Sequence, residues 1–243
     1  MRVALISDLH GHERALEAVL AELERTGVDR LICLGDVATL GPRPREVLGR
    51  LRDLGCLGIL GNHDEFLRDP ELVRRYSEVA PVVEAVDWCR AQLGAADLDF
   101  VRGFQATAEL ALEGGATLSL FHGTPRSHME DLLATTAPEL VDEMLSGRRA
   151  TVLAGGHTHL QMLRQHQGML LVNPGSLGCP FRAYVAGQMP TIMPYAEYAV
   201  VESRRGDVRV ELGRVALDAR ALAAHVAVPG FPMAGFLARE YSR

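Results

Sequence analysis

The chain has 243 residues, a net charge of −6 and a 48% hydrophobic fraction, which suits one α/β domain with ample core. All 25 basic residues are arginine, so a Walker-A lysine and a Schiff-base mechanism are excluded, and the acidic balance disfavours a stable nucleic-acid partner. Four scattered cysteines without a CxxC pair suggest a reducing, cytoplasmic setting, and no apolar run approaches the roughly 20 residues needed to span a bilayer.

Taken in chain order, Arg2 to Ile6 reads as a first strand rather than a signal peptide. Apolar residues at Ala15, Leu16, Val19, Leu20 and Leu23 predict a helix over 12–25, stopped by Gly27. Leu31 to Leu34 is a second strand, Pro44 opens a helix through Leu51, and Gly58 to Leu60 marks a third strand. This alternation implies a parallel sheet with helices on its faces. The stretch 69–93, which holds the single tryptophan, Trp88, reads as a helical insertion covering the core, with a specificity cap as the alternative. From Thr117 strands dominate: 117–121, 152–154, 160–165, 169–172, 197–202 and 208–212, with turns at Gly114-Gly115 and Gln167-Gly168. Asp218 to His225 reads as a helix and the tail as peripheral, with the apolar segment 228–236 packing on the body or on a second subunit. The whole chain, 1–243, reads as a single domain.

Five short strings carry the chemistry: Asp8-Leu9-His10, Gly35-Asp36, Gly61-Asn62-His63-Asp64, Phe121-His122-Gly123 and Gly156-His157-Thr158-His159. Nearly all follow an apolar run, so their side chains should gather at the carboxyl ends of strands, on one sheet edge or on two facing sheets that share an edge. Aspartate offers anionic oxygen and can bridge two ions, and neutral imidazole adds affinity for manganese, iron, zinc or nickel over magnesium and calcium. His157 and His159 would lie on one side of an extended strand, or a bend at Gly155-Gly156 would aim them at different ions.

In this order the strings resemble the calcineurin-like metallophosphoesterase superfamily, from Asp8 to about Ser176. Ser7-Asp8-Leu9-His10-Gly11, Cys33-Leu34-Gly35-Asp36 and Asn173-Pro174-Gly175-Ser176 point to its small bacterial and archaeal phosphodiesterase branch. The resemblance implies a four-layer α/β/β/α sandwich with a dinuclear metal site at the sheet edges. It implies two divalent ions, manganese first, with iron, zinc or nickel as alternatives. Asp8, His10 and His159 would hold one ion, Asn62, His122 and His157 the other, and Asp36 with a hydroxide would bridge them. His63 would be the catalytic histidine that protonates the leaving group, and the substrate a small phosphoester. In the protein-phosphatase branch an aspartate three residues beyond the bridging one orients that histidine; here Thr39 stands there, and Asp64 is the carboxylate left as its partner.

Outside these strings, His12 either reaches a substrate phosphate or caps its helix and faces solvent. Arg43, Arg45, Arg126 and Arg182 either bind that phosphate or are solvated surface residues. His128, His166 and His225 have no motif around them, and Asn173 to Ser176 reads as a turn supporting the site. The rival functions are a phosphomonoesterase, a nuclease, and a protein-binding scaffold of the retromer type, in which the ligand set tends to be eroded.

Overall fold

The computed structural model describes all residues except position 78 and positions 186–188. One strand of the expected set, β1 (Arg2–Ile6), lies at the centre of a five-stranded sheet, parallel to β2 (Arg30–Cys33), which pairs with the two-residue β3 (Leu57–Gly58). The other half of this sheet is the antiparallel pair β9 (Tyr195–Arg204) and β10 (Asp207–Ala216), so the sheet is mixed where strand–helix alternation alone implied a parallel one. The second sheet runs β4-β5-β6-β8-β7, built from β4 (Ala108–Ala111), β5 (Thr117–Leu120), β6 (Val152–Ala154), β7 (Gln161–His166) and β8 (Met169–Pro174).

The two sheets pack face to face. Alternation along β1 shows how: Val3 and Leu5 enter the layer between the sheets beside Leu118, Leu120, Val152 and Val172, while Ala4 and Ile6 face helices. Because both faces of β1 are covered, its sequence is a continuous apolar run instead of an alternating one. Helices α1 (Glu13–Thr26) and α2 (Pro44–Asp53) cover the outer face of the first sheet through Leu16, Val19, Val47 and Leu48. Helix α7 (Pro138–Leu145) covers the second sheet through Val141, Met144 and Leu145. The architecture is the expected α/β/β/α sandwich.

The segment around 69–93 forms α4 (Glu71–Tyr76) and α5 (Ala80–Ala91), which pack on α3 (Asn62–Arg68) through Phe66, Val73 and Val86. Between this segment and β4 lies α6 (Ala95–Arg102), whose Val101 joins the helical side of the first sheet. The tail, expected to be peripheral, is not. Helices α8 (Ala219–Val226) and α9 (Ala234–Glu240) bury Leu222 and Leu237, and with them Phe231 of the intervening loop and Tyr241 just beyond α9, against α5 and the loop at Cys179; Phe231 sits 5.0 Å from the ring of Trp88. The apolar segment 228–236 thus packs on the body of its own chain. Among the described residues no helix is long and apolar enough to cross a membrane.

Candidate metal centre

The carboxyl ends of β1, β2 and β3 meet those of β5 and β6. Asp8 and His10 follow β1, Asp36 follows β2, His122 follows β5, and His157 and His159 follow β6. Asn62 and His63 differ from a simple strand-end loop, since they open the first turn of α3. Nine described non-glycine residues have positive φ, and five of them are Asp8, His10, Asp36, His157 and His159. A left-handed residue costs on the order of 1–3 kcal/mol unless its surroundings over-determine it. Here they do: Asp8 N–H donates to Gly35 O at 3.0 Å, His10 N–H to Asp36 O at 2.9 Å, and the Asp8 carbonyl accepts from Ser176 Oγ at 2.7 Å and Gly178 N at 3.0 Å. Two glycines permit the close approach. A Cβ on Gly61 would lie 2.1 Å from Asp36 Oδ1, and one on Gly156 would lie 1.9 Å from Ser7 Oγ.

Six of the expected ligands fall into two triads, Asp8–His10–His159 and Asp36–His122–His157, whose donor atoms lie within 4.8 Å of one another in each. In the first, His159 Nε2 is 3.1 Å from His10 Nε2 and 3.3 Å from Asp8 Oδ1. In the second, His122 Nε2 is 3.5 Å from Asp36 Oδ2 and 3.2 Å from Asn62 Oδ1, which brings the seventh expected ligand in. Asp36 Oδ2 is also 3.9 Å from His10 Nε2, so one carboxylate oxygen faces a histidine of each triad. The left-handed backbone at His157 and His159 decides between the two sequence readings: the strand does not continue, and the bend sends the imidazoles to different triads.

The donor set fits divalent cations. His122 Nδ1 donates to Leu34 O at 2.6 Å and His159 Nδ1 to Cys179 O at 2.7 Å, so that each ring, when neutral, directs the lone pair of Nε2 into the site. Asp8 Oδ1 is buried and accepts no hydrogen bond. Lone pairs therefore confront one another across about 3 Å of low-dielectric interior, an arrangement that requires positive charge between them. The carboxylates express the same demand. Burial alone would push His122 down, yet Asp36 and Asp8 carry it up to about 10. Burial would raise Asp8, but His159 and His122 hold it at about 2. His157 is driven down to about 4 by burial and by His122.

His63 lines the same cavity, nearly buried, with its ring edge-on to His10 and Phe66. Its Nδ1 lies 2.8 Å from Thr39 Oγ1, and its backbone N–H donates to Asp36 Oδ1 at 2.9 Å. Thr39 thus occupies the orienting place. Asp64, the carboxylate partner that the sequence offered for His63, does not take that place; its carboxylate accepts from the N–H groups of Asp36, Val37 and Gly61 at 2.8, 2.9 and 2.9 Å, tying the two loops together. Burial and the nearby Asp36 raise it to about 6.

His12 follows neither reading. It is fully buried, makes no side-chain cap, and packs Nε2 3.6 Å from Cys179 Sγ beneath Tyr241, because the C-terminal helices cover this face. Arg43, Arg45 and Arg126 pair with Glu46, Asp97 and Glu130, and neither they nor Arg182 line the cavity. His128 and His166 pair with Glu65 and Asp142, and His225 is half-buried. Asn173 supports the site as a turn residue should: Nδ2 donates to Gly156 O at 2.6 Å and to Thr158 Oγ1 at 3.0 Å, while Oδ1 accepts from Gly175 N at 2.8 Å.

The cavity over the two triads measures about 240 Å³. Its outer wall is Leu40, Tyr76, Phe181 and Tyr184, none of which carried a motif, together with Asp131, whose Oδ1 is 3.4 Å from His157 Nε2. Only tertiary packing brings these residues to the site, since Tyr76 ends α4 and Phe181 stacks 4.2 Å from His159.

Residues 1–192 match the sequence profile of the calcineurin-like phosphoesterase superfamily domain. The chain belongs to that superfamily. A metallophosphoesterase from Sphaerobacter thermophilus has a similar structure, with a TM-score of 0.76 and 25% identity, covering 100% of this chain and 99% of its own. A hypothetical protein from Pyrococcus horikoshii shares the fold at a TM-score of 0.74 and 18% identity, covering 96% and 97%. An uncharacterized protein from Methanocaldococcus jannaschii is 26% identical over 231 residues, 89% of this chain and 88% of the relative. The chain is accordingly a metallophosphoesterase, a hydrolase of ester bonds in a family that uses divalent metal ions, and its two triads are the candidate metal-binding clusters.

Proposed function

We propose that this metallophosphoesterase is a phosphodiesterase with a dinuclear centre, in which Asp8, His10 and His159 hold one ion, Asn62, His122 and His157 hold the other, and Asp36 bridges. The observation that carries the reading is Asp36 Oδ2 lying within 3.9 Å of His10 Nε2 and 3.5 Å of His122 Nε2, beside His63 on the wall of one cavity. When bound, two divalent ions acidify water and neutralise the phosphoryl oxygens. We read manganese as the first ion and iron, zinc or nickel as alternatives, since imidazole ligands raise affinity for all four over magnesium and calcium.

The chain's own residues do the rest. His63 protonates the leaving alkoxide, and Thr39, able to donate or accept, holds Nδ1 in either protonation state and leaves Nε2 for the substrate. Burial lowers the pKa of His63, so its proton is readily given up once acquired. Phe181 and Tyr76 limit water at the mouth. Preference for a diester follows from charge: among the described residues no arginine lines the cavity and Asp131 stands on its rim, which suits a monoanion better than the dianion of a monoester. We read residues 1–243 as one domain, with α4 contributing Tyr76 to the wall of the site and α5 packing behind it. The four buried free thiols suit a reducing cytoplasm.

The test is hydrolysis of bis(p-nitrophenyl) phosphate against p-nitrophenyl phosphate, after chelation and reloading with manganese, nickel, zinc, iron or magnesium. Metal-restored cleavage favouring the diester is expected. Preference for the monoester would make the protein a phosphatase, and silence on both with metal loaded would favour the scaffold.

A further inference from the structure

A second cavity, about 360 Å³, adjoins the first and shares two wall residues with it, Thr158 and Tyr184. Its chemistry is different. Leu132, Leu133, Leu160 and Met162 supply most of the lining, and among the described residues no charged side chain contributes to it. The polar groups that do face it are largely engaged elsewhere. Thr158 Oγ1 accepts from Asn173, and Gln161 Nε2 donates to Gly213 O at 2.9 Å and Tyr198 O at 3.3 Å. Thr135 adds a hydroxyl at the exposed end, and among the described residues no cation lines the cavity to bind a second phosphate.

Tyr184 forms the partition. Its hydroxyl donates to Asp131 Oδ2 at 2.6 Å, and the other oxygen of Asp131 faces His157, so the ring is held at the junction of the polar and apolar compartments by the site's own carboxylate. A substrate whose phosphate sits over the triads has one ester substituent directed to His63 and the mouth, and the other within reach of this partition.

We infer that the apolar cavity is the specificity subsite for the non-leaving ester group, and that the physiological substrate is a phosphodiester bearing an apolar organic substituent there. The inference rests on the phosphoesterase reading of the adjoining site. Each buried methylene should strengthen binding by about three- to fourfold until the cavity is filled.

The experiment uses the manganese-loaded protein and two diesters with the same leaving group, p-nitrophenyl methyl phosphate and p-nitrophenyl butyl phosphate, so that the chemical step is common to both. A kcat/KM at least about tenfold higher for the butyl ester is expected. Calorimetric titration with methylphosphonate and butylphosphonate provides a readout independent of turnover and should rank them the same way. Ala134 and Thr135 are exposed residues on the cavity wall, so Ala134→Trp and Thr135→Trp fill it without emptying the core, and both should collapse the butyl-to-methyl ratio toward one. Equal kcat/KM and equal affinities in the wild type would overturn the subsite, as would a ratio that survives both tryptophans. Phosphonates ranked as expected without cleavage of either ester would support the subsite and sink the phosphodiesterase reading instead.

Discussion

Asn173 is the residue whose removal most directly tests how the site is held together. It is 2% exposed and makes three hydrogen bonds, none to a metal-ligand side chain, yet they fix the bend that carries His157 and His159. Asn173→Ala leaves the buried N–H of Gly175 without a partner, at about 1–3 kcal/mol, and takes from the Gly156 carbonyl one of its two donors, the other being the Thr158 N–H at 2.8 Å. With the lost bonds to Gly156 and Thr158 added and relaxation allowed for, the loss should be about 2 kcal/mol, a fall in Tm of about 4–8 °C for a chain of this size. Because His159 belongs to one triad and His157 to the other, affinity at both should drop together. Asn173→Asp sharpens the test, since it keeps the acceptor for Gly175 but sets a carboxylate oxygen where an N–H lay 2.6 Å from Gly156 O. That buried acid will have a raised pKa in the folded state, so its penalty is absent below the unfolded value near pH 4 and grows as pH rises through the folded one. Thermal melts of chelated protein from pH 4 to 8, with metal content measured after dialysis, read both effects. An alanine variant that melts within about 1 °C of wild type and retains its metal would refute the claim that Asn173 holds the bend.

Other substitutions probe separate parts of the centre. His63→Ala should lower kcat about 10²- to 10⁴-fold while bound metal, measured by elemental analysis, stays at the wild-type level; metal loss would remove the assigned role. Thr39→Val keeps shape but deletes the hydroxyl 2.8 Å from His63 Nδ1, so kcat should fall about three- to tenfold with KM little changed, and an unaltered kcat would deny Thr39 its positioning role. Asp36→Asn should reduce metal occupancy and activity in parallel, checked by titrating metal into chelated protein. Gly61→Ala drives a methyl group to within 2.1 Å of Asp36 Oδ1, so metal affinity should drop at least about tenfold even though the backbone φ there is ordinary for alanine.

Much of this protein is legible in one dimension. The ligand strings stand directly after apolar runs, and a strand followed by a tight turn places its first polar residues at the sheet's rim whatever lies farther along the chain. The runs at 2–6, 152–154 and 197–202, and the helical spacing of Leu16, Val19 and Leu23, likewise declare themselves through local periodicity, although the last of these strands extends to Tyr195–Arg204 once paired. Tertiary structure alone decided the remainder. Asp64 serves the backbone of another loop and not its neighbour His63, His12 is sealed beneath a helix that begins more than 200 residues later, and Tyr76, Asp131, Phe181 and Tyr184 meet at one cavity from three distant segments. The division has a physical cause. A metal ligand needs a particular residue type at a strand's end, which leaves a local signature, whereas a wall or a buried partner needs only shape and proximity, and those exist only once the chain has folded.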